Sequence, residues 1–193
     1  MTQFGIGQPV RRVEDRRFIT GRGRYLDDIS RPHQAHAVFL RSPHAHAVIR
    51  AIDASVAREA LGVVAVLTGA DLAADGLGSV PCVSGVAGAV LPPRPAMVAD
   101  RVRHVGDTVA MVIAESVAAA RDAADLIAVD YEPLPVAIDT AHAADPGQPL
   151  VWDEAKNNLS FAWEVGDGAA VAKAAAAAEH KVTLTIINNG VVV

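Results

Sequence analysis

The chain has 193 residues, of which 51% are apolar and 20% charged. That is enough hydrophobe for a core and too much for a disordered tail. Its 17 Lys and Arg stand against 22 Asp and Glu, a formal net charge of −5, and with no long basic run this argues against nucleic-acid binding. A single cysteine, Cys82, excludes a disulfide framework and a multi-cysteine zinc site. With only 4% aromatic residues, the core is expected to be thin layers of β-branched and small side chains.

No apolar run approaches the roughly 20 residues of a membrane-spanning helix. The longest, such as Thr108–Ala114, are strand-length. Arg11-Arg12 precedes Val13-Glu14-Asp15-Arg16-Arg17, which is too charged for a twin-arginine export signal. The sequon Asn158-Leu159-Ser160 carries no weight without such a signal, so a cytoplasmic location with no membrane partner is expected.

Residues 1–33 read as irregular and charged. Ala35–Leu40 follows as a short strand, and Arg41-Ser42-Pro43-His44 as a connection, because Pro43 cannot donate to a ladder. Ala45–Ile52 alternates, with Ala45, Ala47, Ile49 and Ala51 on one face. Asp53 stands at an N-cap position for a helix over Ser55–Leu61, with Gly62 as its C′ residue. Val63–Leu67 reads as a buried strand. The stretch Ala70–Val98 has no clear period and is expected to be a long functional or interfacial loop.

The order strand, helix, strand then recurs. Thr108–Ala114 is an apolar strand, and Ser116 caps a helix through Ile127 with Val117, Ala120, Ala124 and Ile127 on one stripe. Ala128–Tyr131 is a strand stopped by Pro133 and Pro135. Two such units predict an α/β fold with helices packed on a mixed sheet. A linker with Pro146 and Pro149 follows from Asp139. Asp167 caps an alanine-rich helix over Ala169–Glu179, which has little bulk and should pack closely against something. Lys181–Ile187 alternates like a strand. The apolar end Val191-Val192-Val193 invites pairing with a further strand, so the chain is expected to be truncated or one piece of a larger assembly.

Candidate chemistry is sparse. His33, His36, His44 and His46 cluster in sequence, and His44 and His46 would share a strand face, a spacing usable for metal. No Asp, Glu or Cys completes the set, so pinning of a turn is the better reading. Gly21-Arg22-Gly23 lacks the third glycine and the preceding strand of a dinucleotide fingerprint. Gly166-Asp167-Gly168 opens a helix that could hold an anion, yet Asp167 would compete as a cap. Cys82 has no basic neighbour and reads as a buried or inert thiol. The pairs Asp27–Asp28 and Asp71–Asp75 read as caps and turn residues. Arg11, Arg12, Arg16, Arg17, Arg22 and Arg24 alternate with acids and read as an ion-paired surface or a subunit contact.

The ordered motifs add a resemblance. Arg12-Val13-Glu14-Asp15 with Arg17-Phe18, then Thr20-Gly21-Arg22-Gly23-Arg24-Tyr25-Leu26-Asp27-Asp28, resembles the start of the molybdenum-binding large subunit of the xanthine dehydrogenase, aldehyde oxidase and carbon monoxide dehydrogenase family. The likeness continues through Arg41-Ser42-Pro43-His44-Ala45-His46-Ala47, Gly62–Leu72, Val105-Gly106-Asp107-Thr108-Val109-Ala110 and Val129-Asp130-Tyr131-Glu132-Pro133-Leu134-Pro135, and ends with Trp163-Glu164-Val165-Gly166-Asp167. Carbon monoxide dehydrogenase-type large chains are the most similar.

The resemblance implies an N-terminal arm (1–19), an α/β hammerhead domain (20–138), a linker (139–157) and the truncated start of a molybdopterin-binding domain (158–193). It implies that the intact enzyme oxidises CO, aldehydes or N-heterocycles with oxygen from water at a molybdenum–pterin centre. Electrons would leave through 2Fe–2S clusters and FAD on small and medium partner subunits. The family's pterin-holding loops and catalytic glutamate fall beyond Val193. The neighbours of Cys82 differ from those of the active-site cysteine in carbon monoxide-type enzymes. Gly190 stands where many relatives have a bulkier residue. No catalytic, cofactor-binding or metal residue is therefore assigned to this chain. An alternative is a stand-alone hammerhead module that docks onto FAD or iron–sulfur subunits.

Overall fold

A computed structural model describes Gly7 and residues 11–186, which divide into two units between Ala35 and His36. The terminal valines and Ile187 lie outside the described residues. In the first unit, the stretch expected to be irregular contains a short helix, α1 (Asp15–Ile19). A 3-10 turn follows at Leu26–Asp28, where the Asp28 carboxylate accepts the Tyr25 N–H at 2.8 Å. Phe18 stacks on Tyr25 with ring centroids 5.3 Å apart.

Among the described residues the second unit carries six strands in two three-stranded sheets. The first sheet orders β1 (His36–Arg41), β5 (Thr108–Ala114) and β3 (Val63–Thr68), with β5 central. The second orders β4 (Arg101–Val102), β2 (Ala47–Asp53) and β6 (Ala128–Pro133), with β2 central. Every pairing is antiparallel. The α/β class and its two strand–helix–strand units are as expected, but the single mixed sheet is replaced by two. Both units cross between the sheets. β2 leads through α2 (Ser55–Arg58) to β3, and β5 leads through α4 (Val117–Asp125) to β6.

Strand β5 is apolar from residue 109 to 114 because both its faces are covered. Ala110, Val112 and Ala114 point into a core closed by Ala57 of α2 and by Ala120, Ala123 and Ala124 of α4. Val109 points the other way, into a second core with Ala47, Ile49, Val98 and Val102. The predicted alternation of β2 holds for Ala47 and Ile49, which are buried, and then breaks. A bulge between Ile49 and Ala51 inserts one residue, which swaps the faces of all that follows. Ala51 is therefore exposed and Ile52 turns inward. A second bulge, between Val63 and Ala65, leaves Val64 exposed in a strand expected to be buried.

Helix ends follow local chemistry. Ser116 Oγ accepts the Ala119 N–H at 3.1 Å, the predicted cap of α4. The N-cap of α2 is Ala54 rather than Asp53; the Asp53 carboxylate instead accepts the Ser55 N–H and hydroxyl, at 3.0 and 2.7 Å. This helix ends at Arg58, short of Leu61, and runs on in three-residue turns. Gly62 then takes φ +79°, as a C′ residue should. A helix not predicted, α3 (Gly69–Ala74), starts the long loop. Its signal was present as Thr68-x-x-Asp71: the Asp71 carboxylate accepts both the hydroxyl and the N–H of Thr68 at 2.7 Å. Gly69 is required there because a Cβ would fall 2.6 Å from the Val98 carbonyl.

Helix α5 (Gly168–Ala177) forms as predicted, capped by Asp167, whose carboxylate accepts the Ala170 N–H at 2.9 Å. It is exposed along its whole length among the described residues, against the expectation of close packing. Residues 181–186 are not in a strand, so that part of the Lys181–Ile187 expectation fails; alternation alone does not supply a partner ladder.

Two outcomes test this account. Ala120 is fully buried under the first sheet, whereas Ala118 on the same helix is exposed. Ala120→Leu should cost about 1–3 kcal/mol in urea unfolding, and Ala118→Leu less than about 0.5 kcal/mol. The Thr68 hydroxyl, then its N–H, holds the Asp71 pKa below the ordinary carboxylate range. A depressed folded-state pKa contributes stability above about pH 4 that is lost as pH falls below it. Thr68→Val should raise the Asp71 pKa in an NMR titration. The stability gap between Thr68→Val and the parent should shrink when unfolding is measured at pH 3 rather than pH 7.

Candidate functional site

Three of the quoted sequence motifs meet around the connection from β1 to β2. Ser42 is buried; its N–H donates to the Asp107 carbonyl and its carbonyl accepts the Gly106 N–H, both at 2.8 Å. Arg41 Nη1 donates to the Gly106 carbonyl at 2.9 Å. The Arg41–Ser42 corner is thus locked to the turn between β4 and β5, where Gly106 takes φ +90°. The Ser42 Oγ accepts the His44 N–H and donates to the His44 carbonyl, each at 3.0 Å.

The third motif closes from the end of β6. The Tyr131 ring lies 4.8 Å from that of His44, and burial raises the Tyr131 phenol pKa despite a hydrogen bond with Ser42. The Leu134 N–H donates to the His46 carbonyl at 2.9 Å. His46 Nδ1 lies 2.9 Å from the Pro135 carbonyl. A carbonyl only accepts, so Nδ1 carries the proton and Nε2 is left as the acceptor of the neutral ring. That Nε2 is buried with no partner among the described residues.

The four histidines take separate places. Strand β2 begins at Ala47, so His44 and His46 sit in the turn before it rather than on a shared strand face. His36 lies on β1, and His33 belongs to the other unit. Among the described residues no three His, Cys, Asp or Glu side chains are placed to hold a metal ion. The pinned-turn reading is the one the geometry carries. Asp28, Asp71 and Asp167 serve as caps, as read. Gly21 takes φ +67° in the turn after α1. Among the described arginines of the first unit, Arg17 pairs with Glu14 at 3.9 Å.

A groove of about 740 Å³ opens beside the interlocked turn. Its polar lining includes Arg41, Arg94, Arg103, His104 and Asp107, and its apolar lining includes Leu91, Val98 and Trp152. Arg103 lies over the Trp152 ring, 3.7 Å from its centroid, and its Nη1 donates to the Arg101 carbonyl at 3.2 Å. Its Nε is buried without a partner among the described residues, and burial lowers its pKa. Cys82 lines the same groove and is exposed, which corrects the buried reading; the apolar neighbours Val80 and Val83 are themselves exposed.

Two long loops wall the groove. Val80 N–H donates to the Arg94 carbonyl, and Val90 N–H to the Ser160 carbonyl, each at 2.8 Å. Within the segment 139–158 one side chain ties three backbone positions together. Asn158 Oδ1 accepts the Val151 N–H at 2.8 Å, and its Nδ2 donates to the carbonyls of Ala143 and Pro149, each at 2.9 Å. That amide is fully engaged, which gives the apparent sequon a structural meaning. Nothing in the sequence pattern singled out Asn158 for this role; the neighbouring Asn157-Asn158 pair, both at φ +54°, is the residue type that best tolerates such backbone.

Residues 20–135 match the a/b hammerhead domain of aldehyde oxidase and xanthine dehydrogenase. The chain belongs to this family. It is 39% identical over 175 residues to the carbon monoxide dehydrogenase large chain of Afipia carboxidovorans, covering 84% of this chain and 21% of that one. To the nicotine 6-hydroxylase large subunit of Paenarthrobacter nicotinovorans it is 40% identical, covering 95% and 22%. The chain therefore spans about a fifth of the length of these relatives. Its fold matches the crystal structure of a Cu,Mo-CO dehydrogenase with a TM-score of 0.74 at 38% identity, covering 91% of this chain and 23% of that one. Quinoline 2-oxidoreductase from Pseudomonas putida 86 matches with a TM-score of 0.65 at 41% identity, over 72% and 18%.

Asn158→Ala should release the loop it holds. The expected loss is about 1–3 kcal/mol in chemical unfolding, with faster amide exchange at Val151. Asn158→Asp, which sets an acceptor-only oxygen against the Ala143 and Pro149 carbonyls, should lose at least as much.

Proposed function

We propose that this chain is the N-terminal structural part of a molybdenum hydroxylase large subunit. In the assembled enzyme that subunit would oxidise CO, an aldehyde or an N-heterocycle with oxygen taken from water. The family match over residues 20–135 carries the reading, and the names of the relatives support it: a carbon monoxide dehydrogenase large chain and a nicotine 6-hydroxylase large subunit. Residues 1–19 form an arm, 20–138 the hammerhead, 139–157 a linker, and 158–193 the opening of the molybdopterin-binding region. The assembly would be cytoplasmic, with FAD and 2Fe–2S clusters on medium and small partner subunits.

Among the described residues, neither the start of α5 nor the histidine turn fits a molybdenum pterin. The Ala170 N–H at the start of α5 is already bonded to Asp167, whose charge repels a phosphate at that helix end. The rings of His44 and His46 are held by Tyr131 and Pro135. No catalytic step is therefore routed through these side chains. Their work is mechanical: the Ser42–Gly106–Asp107 lock and the His46–Pro135 bond fix the wall that the hammerhead presents to the rest of the subunit. The cofactor would be held by polypeptide outside the described residues.

The test is elemental analysis of the purified 193-residue chain together with dye-linked oxidation of CO, aldehydes and purines. Molybdenum and turnover should both stay at background. Stoichiometric pterin-bound molybdenum, or turnover by this chain alone, would overturn the reading.

A further inference from the structure

The groove is chemically lopsided. Arg41, Arg94 and Arg103 face a single lining carboxylate, Asp107. That carboxylate is engaged already: it accepts the Arg103 N–H at 3.0 Å and lies 3.6 Å from His104 Nδ1. The Arg94 side chain is exposed and has no hydrogen bond or ion pair among the described residues. Arg41 uses Nη1 for the Gly106 carbonyl and rests over Phe39, with no carboxylate paired to it among the described residues. Around these cations the walls are apolar, with Val80, Leu91, Val98 and Val151. A volume of about 740 Å³ is far larger than an inorganic anion and suits a stretch of extended polypeptide. About four fifths of each relative's length lies outside the matched region.

We propose that this groove receives a carboxylate-bearing, otherwise apolar stretch of the remaining large-subunit polypeptide, with its acidic side chain set between Arg41 and Arg94. The proposal rests on the functional reading above for the identity of the occupant, and on the chain's own residues for its chemistry. Guanidinium groups bind carboxylates in a two-pronged geometry that lysine cannot reproduce. Desolvation by the valine and leucine walls strengthens such a pair relative to one in open water.

The experiment is fluorescence anisotropy on the full 193-residue chain with a labelled hexapeptide alternating valine and glutamate. A second peptide carries lysine in place of glutamate. Binding of the acidic peptide alone is expected, weakening with salt and by about tenfold in Arg94→Ala. Arg94→Lys should recover only part of it. The Arg94 side chain makes no bond among the described residues, its carbonyl keeps the Val80 N–H in either variant, and an unchanged melting temperature checks that the variant is intact. Three results would overturn the proposal: no binding by the parent chain, equal binding by Arg94→Ala, or competition by inorganic phosphate as strong as by unlabelled peptide. Each can occur while the molybdenum and turnover measurements still support the functional reading, so the two failures are distinguishable.

Discussion

The second unit depends on one strand being buried on both faces. β5 gives Ala110, Val112 and Ala114 to the helix-covered core and Val109 to the core under the second sheet. Ile52 and Val129 touch both cores, so the two cores are coupled through strand ends as well as through β5. A strand in this position needs apolar residues on both faces, which is why β5 shows no alternation after Thr108. It also needs partners thin enough to approach from both sides. Alanine at positions 57, 120, 123 and 124 provides that on the helix side.

The same crossing of β5 between layers places the motifs. The turn that delivers the chain into β5 carries Gly106 and Asp107, and the corner that leaves β1 carries Arg41 and Ser42. Because β1 and β5 pair antiparallel with Arg41 opposite Thr108, those two corners are forced side by side. The backbone bonds of Ser42 then fix them. The end of β6 arrives beside them because Ala47 pairs with Pro133, which brings Pro135 to His46. A cluster of motifs scattered over nearly a hundred residues of sequence is thus a result of strand register.

Much of the fold was legible. Thr108–Ala114 was read with its observed bounds, and the caps at Ser116 and Asp167 were identified, because apolar runs and capping oxygens act locally. The face swap in β2 was not legible, since a bulge is set by cross-strand pairing that one strand's sequence does not reveal. Helix α3 was missed although Thr68 and Asp71 spelled its cap, because the glycine-rich stretch after it drew attention to loop character. The site was legible as motifs and illegible as a place. Asn158 and the Arg103–Trp152 stack join residues whose proximity depends on loops that no periodicity describes. For Cys82 the absence of a basic neighbour left burial and inertness open, and its exposure at the groove excludes the first.

The crossed connections have a consequence for how the polypeptide matures. Neither sheet is assembled from consecutive strands: one draws on residues 36–41, 63–68 and 108–114, the other on 47–53, 101–102 and 128–133. As the chain leaves the ribosome, the early strands must wait for the middle of the first sheet until residue 114 has emerged, and the second cannot close until residue 133. Until then Val38, Leu40 and Val66 have no cover, and a nascent chain in that state is exposed to mispairing with its neighbours. Closure only once residue 133 has emerged, rather than stepwise growth, is built into the strand order.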